Sequence, residues 1–153
     1  MLLIVFRLGD DRFALDAGRV VEVLPLLPIE RVLGAPSGIH GRFGYRGRFV
    51  AAVDLSQRLL GRTAGHQLST RLVLVTITGD NGPCLLGLVL EKATSTVRCD
   101  PGELIPPAVG SRDHPWLGAL LPDAAGPIRL IDVDRVIADD VRPLLTPAQV
   151  EVS

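Results

Sequence analysis

Short apolar runs alternate with turn residues along almost the whole chain. "LLIVFRL" precedes Gly9-Asp10-Asp11, and "RFALDA" follows with Phe13, Leu15 and Ala17 on one face. Alternation on both sides of a glycine turn predicts a hairpin. "RVVEVL" predicts a further strand, broken by Pro25 and Pro28. "GIHGRFGY" and "RFVAAVDL" flank Arg46-Gly47 and predict a second hairpin, followed by a short helical turn in "DLSQRLLG" that ends at Gly61. A polar linker, "RTAGHQLST", comes next.

The pattern then restarts. "RLVLVTIT" reaches "GDNG", where Asn81-Gly82 predicts a tight hairpin turn. "CLLGLVL" and "ATSTVR" predict two strands, and "DPGELIPPAVGSRDHP" predicts an exposed loop. "WLGALL" and "PIRLIDV" predict strands. "DVDRVIADD" predicts the one good helix, with Val133, Val136, Ile137 and Val141 on one face. The tail, 142–153, is weakly patterned and expected to fray.

This restart is an internal repeat. "LLIVFRLGDD" echoes "LVLVTITGDN" without a gap, and "AAVDLSQRLL" echoes "RLIDVDRVIA", pairing Asp54 with Asp132. The repeats cover roughly 1–62 and 70–139. Many short strands at close spacing predict a mainly β fold of two small barrel lobes related by an approximate two-fold axis, with short helices. Strands are free to cross between the lobes. Each repeat alone would have a thin core, and packing the two together extends it. Asp54 and Asp132 fall where a strand passes into a helix, so both are expected as helix caps rather than catalytic acids.

Composition narrows the function classes. The 153 residues are 47% hydrophobic, which excludes a disordered chain. Sixteen basic residues nearly balance seventeen acidic ones, which argues against a general nucleic-acid binder and a polybasic membrane anchor. All but one of the cations are arginine, the exception being Lys92. Arginine forms forked pairs with carboxylates that lysine cannot form. Cys84 and Cys99 have no metal-ligand spacing and are expected to be reduced thiols. "MLLIVF" is too short for a signal peptide or a spanning helix, so a cytoplasmic protein without membrane insertion is expected.

Residue patterns that carry catalysis are missing. His40, His66 and His114 are scattered without ligand spacing, and the chain contains no GxSxG, P-loop or dinucleotide fingerprint. No catalytic residue, cofactor or metal is expected. What stands out is glycine at Gly38, Gly41, Gly44 and Gly47, every third residue, with Arg42, Arg46 and Arg48 between them. Glycines let another backbone approach, arginines supply directional hydrogen bonds, and Val20 and Phe43 supply apolar contact. That combination suits docking of a protein helix or strand. A nucleic-acid-binding small barrel using the arginine cluster is the alternative of another class. Only 4% aromatic residues leave it short of stacking platforms.

At this point the chain resembles the CheW family, the coupling proteins of bacterial chemotaxis. The resemblance runs over most of residues 1–141, read as one CheW-like domain. It rests on Phe13, Leu15, Val20, Glu22 and Val23, and then on Pro36, Ile39, Gly41, Phe43, Tyr45, Arg46, Gly47, Phe49, Val50, Val53, Asp54 and Leu55. "LLGLVLEKATSTV" and "WLGAL…IRLIDVDRVI" carry it through the second half. The family proline before the Asp-Leu pair is Ala52 here, and the asparagine two residues before Arg-Gly is Gly44. The resemblance implies two five-stranded β-barrels and no catalysis. It implies an adaptor or scaffold that links methyl-accepting chemoreceptor tips to the regulatory domain of a CheA-type histidine kinase, in membrane-bound receptor arrays. By matching position it implies that Val20, Glu22, Gly41, Phe43, Arg46 and Gly47 lie at receptor or kinase contacts, with Glu22 orienting Arg46. Gly87 matches a family glycine of the second repeat and is expected to serve packing. "FRLG-D-RFALDA", "VVEVLPL" and "LSTRLVLV" also resemble coupling proteins of Wsp-type surface-sensing systems, which implies the same role with cyclic-di-GMP or biofilm output.

Overall fold

The computed structural model of the protein describes residues 1–65 and 70–148. Nine strands are hydrogen-bonded into one continuous sheet. In chain order they are β1 (Leu2–Leu8), β2 (Asp11–Asp16), β3 (Val20–Pro25), β4 (Gly41–Tyr45), β5 (Arg48–Asp54), β6 (Arg71–Ile77), β7 (Cys84–Arg98), β8 (Leu117–Leu121) and β9 (Ile128–Ile131). The α-helix, α1 (Leu55–Leu60), follows β5 directly.

The sheet folds into two lobes because β7 belongs to both. Its first half, Cys84–Leu90, pairs antiparallel with β6, and Gly87–Val89 pairs parallel with β5. Its second half, from Glu91 to Arg98, pairs antiparallel with β1. The first lobe therefore runs late β7, β1, β2, β9, β8, and the second runs β3, β6, early β7, β5, β4. The two orders are equivalent strand for strand under the internal repeat, including the parallel pairs β2–β9 and β5–β7. In each lobe one isolated antiparallel bridge ties the chain that follows the first strand of the path to the last strand, Glu30 (after β3) to Arg42 in one and Ile105 (after β7) to Leu120 in the other. This is the two-lobed β architecture expected from the repeat, with each lobe taking a hairpin from one repeat and three strand segments from the other.

Apolar alternation puts Phe6, Leu8, Phe13, Leu15, Leu86, Leu88 and Trp116 in a core shared between the lobes. Trp116 is fully buried there, so the lone tryptophan fills space. Both crossings between lobes are clasped by side chains. At the β2–β3 crossing, Arg19 grips Asp134 with two N–H···O bonds of 2.9 and 2.6 Å and also donates to the Thr76 carbonyl. At the middle of β7, Glu91 accepts from the Ser56 hydroxyl at 3.0 Å. The repeat aligns Ser56 with Asp134, so the clasps occupy equivalent places.

Several local expectations are corrected. "CLLGLVL" and "ATSTVR" form one strand of 15 residues, with Lys92 at a positive φ of 50° where β7 passes between lobes. Asn81-Gly82 is not a two-residue hairpin turn. β6 ends at Ile77 and β7 starts at Cys84, and only Gly82 of that pair has positive φ. "DVDRVIADD" forms only a 3-10 turn at Val133–Arg135. Three β-branched residues and four aspartates lower its helix propensity, and the run is too short to nucleate on its own. Val133, Val136, Ile137 and Val141 are buried nonetheless. The start of the tail is tied down: Leu145 is buried and the Leu85 N–H donates to the Thr146 carbonyl. His66 lies outside the described residues. Cys84 and Cys99 are free thiols.

Candidate functional site

The β4–β5 hairpin sits at one end of the second lobe's strand order and β3 at the other. Tyr45 and Arg48 are paired, which leaves Arg46 and Gly47 as the turn. Both have positive φ, 48° and 78°. A two-residue hairpin with both central residues left-handed matches the right-handed twist of its strands. Glycine takes this conformation freely, but arginine does so under strain. The consequence is positional: Arg46 stands exposed at the tip of a stiff hairpin.

Arg46 is not held by Glu22 directly. Among the described residues it has no carboxylate within ion-pair contact. The Arg46 guanidinium lies 5.3 Å from the Tyr45 ring centroid. Burial pushes the Tyr45 phenol up, and a hydrogen bond with Glu22 pushes it the same way, while the neighbouring Arg46 charge and hydrogen bond oppose both. Glu22 on β3 and Arg46 on the hairpin thus act in opposite directions on Tyr45, the only tyrosine in the chain. Sequence reasoning missed this role of Tyr45. Its signal was a lone tyrosine directly before the Arg-Gly turn.

The other expected residues separate into two groups. Val20 and Glu22 are half-buried on the inward side of β3, and Val20 packs against the main core. The exposed positions of that strand are Val21 and Val23, at 49% and 46%. Gly41 and Phe43 are buried and are not on an outer face. Gly41 has no Cβ because the Glu30 carbonyl and Ile29 side chain fill that space, at 2.5 and 2.6 Å from where it would be. The backbone it admits is the chain's own. Phe43 is 2% exposed, and its ring occupies the place a Gly87 Cβ would take. Gly87 thus leaves room for that ring. Gly47 is exposed.

The hairpin also exposes an aromatic residue that the pattern did not single out for contact. Phe49 is 54% exposed and lies across from Gly44. The Arg42 guanidinium stacks 3.8 Å from the Phe49 ring centroid and pairs with Glu30 at 3.3 Å. Arg48 donates to the Pro147 carbonyl at 2.8 Å, and the Thr146 hydroxyl donates to the Phe49 carbonyl at 2.7 Å. Two of the three arginines are thus engaged within the chain, and Arg46 has no carboxylate partner among the described residues.

Asp54 and Asp132 do cap. The Asp54 carboxylate accepts from the N–H groups of Gln57 at 3.2 Å and Ala64 at 2.8 Å. Asp132 accepts from the Asp134 N–H at 3.1 Å. Among the described residues no group of three or more metal-ligating side chains converges. No helix among them is long and apolar enough to cross a membrane.

Comparison with known proteins agrees with this geometry. A profile of the CheW-like domain matches residues 2–141. Protein FrzA of Myxococcus xanthus is 32% identical over 108 residues, which span 69% of this chain and 63% of that protein. The crystal structure of the scaffolding protein TtCheW from Thermoanaerobacter tengcongensis superposes with a TM-score of 0.80 at 22% identity, over 95% of this chain and 93% of that one. With nearly all of its length matched by that profile, the chain belongs to the CheW-like domain family.

Proposed function

We propose that this chain is a non-enzymatic coupling adaptor that joins methyl-accepting chemoreceptor tips to the regulatory domain of a CheA-type histidine kinase. It would work on the cytoplasmic side of the membrane, in receptor arrays, through protein contacts alone. The observation that carries the reading is Arg46: an exposed guanidinium on a left-handed two-residue turn, next to Tyr45 and with no carboxylate partner among the described residues, on a hairpin that also exposes Phe49. A directional charge on a hairpin that also exposes an aromatic ring suits a partner that presents a carboxylate next to apolar side chains.

Each such contact is small. An array links many of them, and effective concentration makes weak contacts cooperative. A kinase whose conformations bind the adaptor unequally then has its populations shifted by the receptor. The test is co-purification with a candidate kinase regulatory domain and a receptor signalling fragment. Arg46→Glu is expected to fold normally and lose association with at least one of them. Undiminished capture of both by the variant would refute the reading.

A further inference from the structure

His40 occupies an unusual place for a titratable group. It stands directly before β4, half-buried, and its Nδ1 accepts a hydrogen bond from the Asp54 backbone N–H at 3.0 Å. A backbone N–H can only donate. Nδ1 must therefore hold a lone pair, and the ring must be the neutral tautomer with its proton on Nε2. Asp54 is at the same time the cap of α1, and its carboxylate also holds the Ala64 N–H beyond the helix. His40 and Asp54 both line a groove of about 1290 Å³ whose opposite wall is the apolar segment around Leu27, Ile29 and Leu33.

We infer that His40 is an acid-sensitive latch on the α1 cap and on this groove. Protonation of Nδ1 turns the acceptor into a donor, so the bond from the Asp54 N–H is lost. The new imidazolium N–H then competes for the Asp54 carboxylate against the N–H groups of Gln57 and Ala64. The groove wall formed by β5, α1 and Ala64 loosens as a result. The charged groups facing the ring are Asp54 at the end of β5 and Arg58 on α1, with Arg31 across the groove. Burial disfavours the charged ring, the Asp54 carboxylate favours it, and Arg58 opposes it, with a net shift below the usual histidine value. Because the folded value is depressed, the latch is fully closed above the ordinary histidine range. It opens as pH falls through the lower folded value. This inference does not depend on the adaptor reading.

The test uses the intact protein and NMR, from about pH 8 to about pH 5, across the histidine range. Nitrogen shifts of the imidazole report its protonation, and amide exchange reports the Gln57 and Ala64 N–H groups. The expected result is a neutral Nε2–H ring at high pH and a loss of amide protection at Gln57 and Ala64 that follows the His40 titration midpoint. His40→Asn supplies an Oδ1 that accepts from the Asp54 N–H at every pH, so its amide protection should not fall over the same range. Protection that stays constant while His40 titrates would overturn the latch, as would the same pH-dependent loss in His40→Asn. Should that variant not fold, separate midpoints for the wild-type ring and its two amides would overturn it equally.

Discussion

Arg46 carries two opposed demands. Its left-handed backbone destabilises the hairpin relative to glycine by about 1 kcal/mol. Its guanidinium is the free charge of the site. Arg46→Gly is therefore expected to hold or raise the unfolding midpoint in urea while lowering partner capture, a split that a purely structural residue would not show. Gly87 is the reverse case. A methyl group there collides with the Phe43 ring, so Gly87→Ala is expected to destabilise by about 1–3 kcal/mol through overpacking. Shortening Phe43 to leucine should recover part of that loss in a double-mutant cycle on urea unfolding. Additive effects would show that the two residues do not share the space.

Among the elements, α1 depends most on one side chain. Asp54→Ala removes the capping bond from Gln57 and the bond from Ala64 and is expected to lower stability by about 1–2 kcal/mol, whereas Asp132→Ala removes one bond from a short turn and should do less. Thermal unfolding of the two variants side by side checks that order. These caps were legible in the sequence because an aspartate between a strand and a helix has a specific local job. The strands were legible for a similar local reason, since alternation marks a half-buried sheet. Alternation could not tell which segment would cover Gly41 and Phe43, because that is decided by the chain near Glu30. Nor could it show that two apolar runs join as β7, since a positive φ at Lys92 lets the strand continue without a turn residue. The last helix failed because burial of Val133, Val136, Ile137 and Val141 was met by turns, and periodicity records burial rather than hydrogen bonding. Tyr45 was missed because its link to Glu22 crosses between segments distant in sequence.

On the scale of the molecule, the repeat is visible in the sequence and its exchange of strands is not. The Arg19–Asp134 clasp makes that exchange measurable. Hydrogen bonding to Arg19 holds the Asp134 carboxyl at about 2, below its usual value of 3.8. A depressed carboxylate contributes stability that is complete above its unfolded value and is lost as pH falls through the folded one. Arg19→Ala should accordingly lower stability by about 1 kcal/mol near neutral pH, after allowance for solvent screening. The gap from wild type in urea unfolding should shrink steadily below about pH 4, where the unfolded carboxylate titrates. A constant gap down to acid pH would show that the pair does not hold the lobes. The shared strand has a consequence for biogenesis. The second lobe needs β7 as well as β3–β6, and the first cannot finish until β9 exists. A nascent chain leaving the ribosome thus gains no complete lobe from its opening sixty-odd residues. Both lobes are completed late, within the span from β7 to β9, so a prematurely terminated chain would expose unpaired strand edges to aggregation rather than yield a working half.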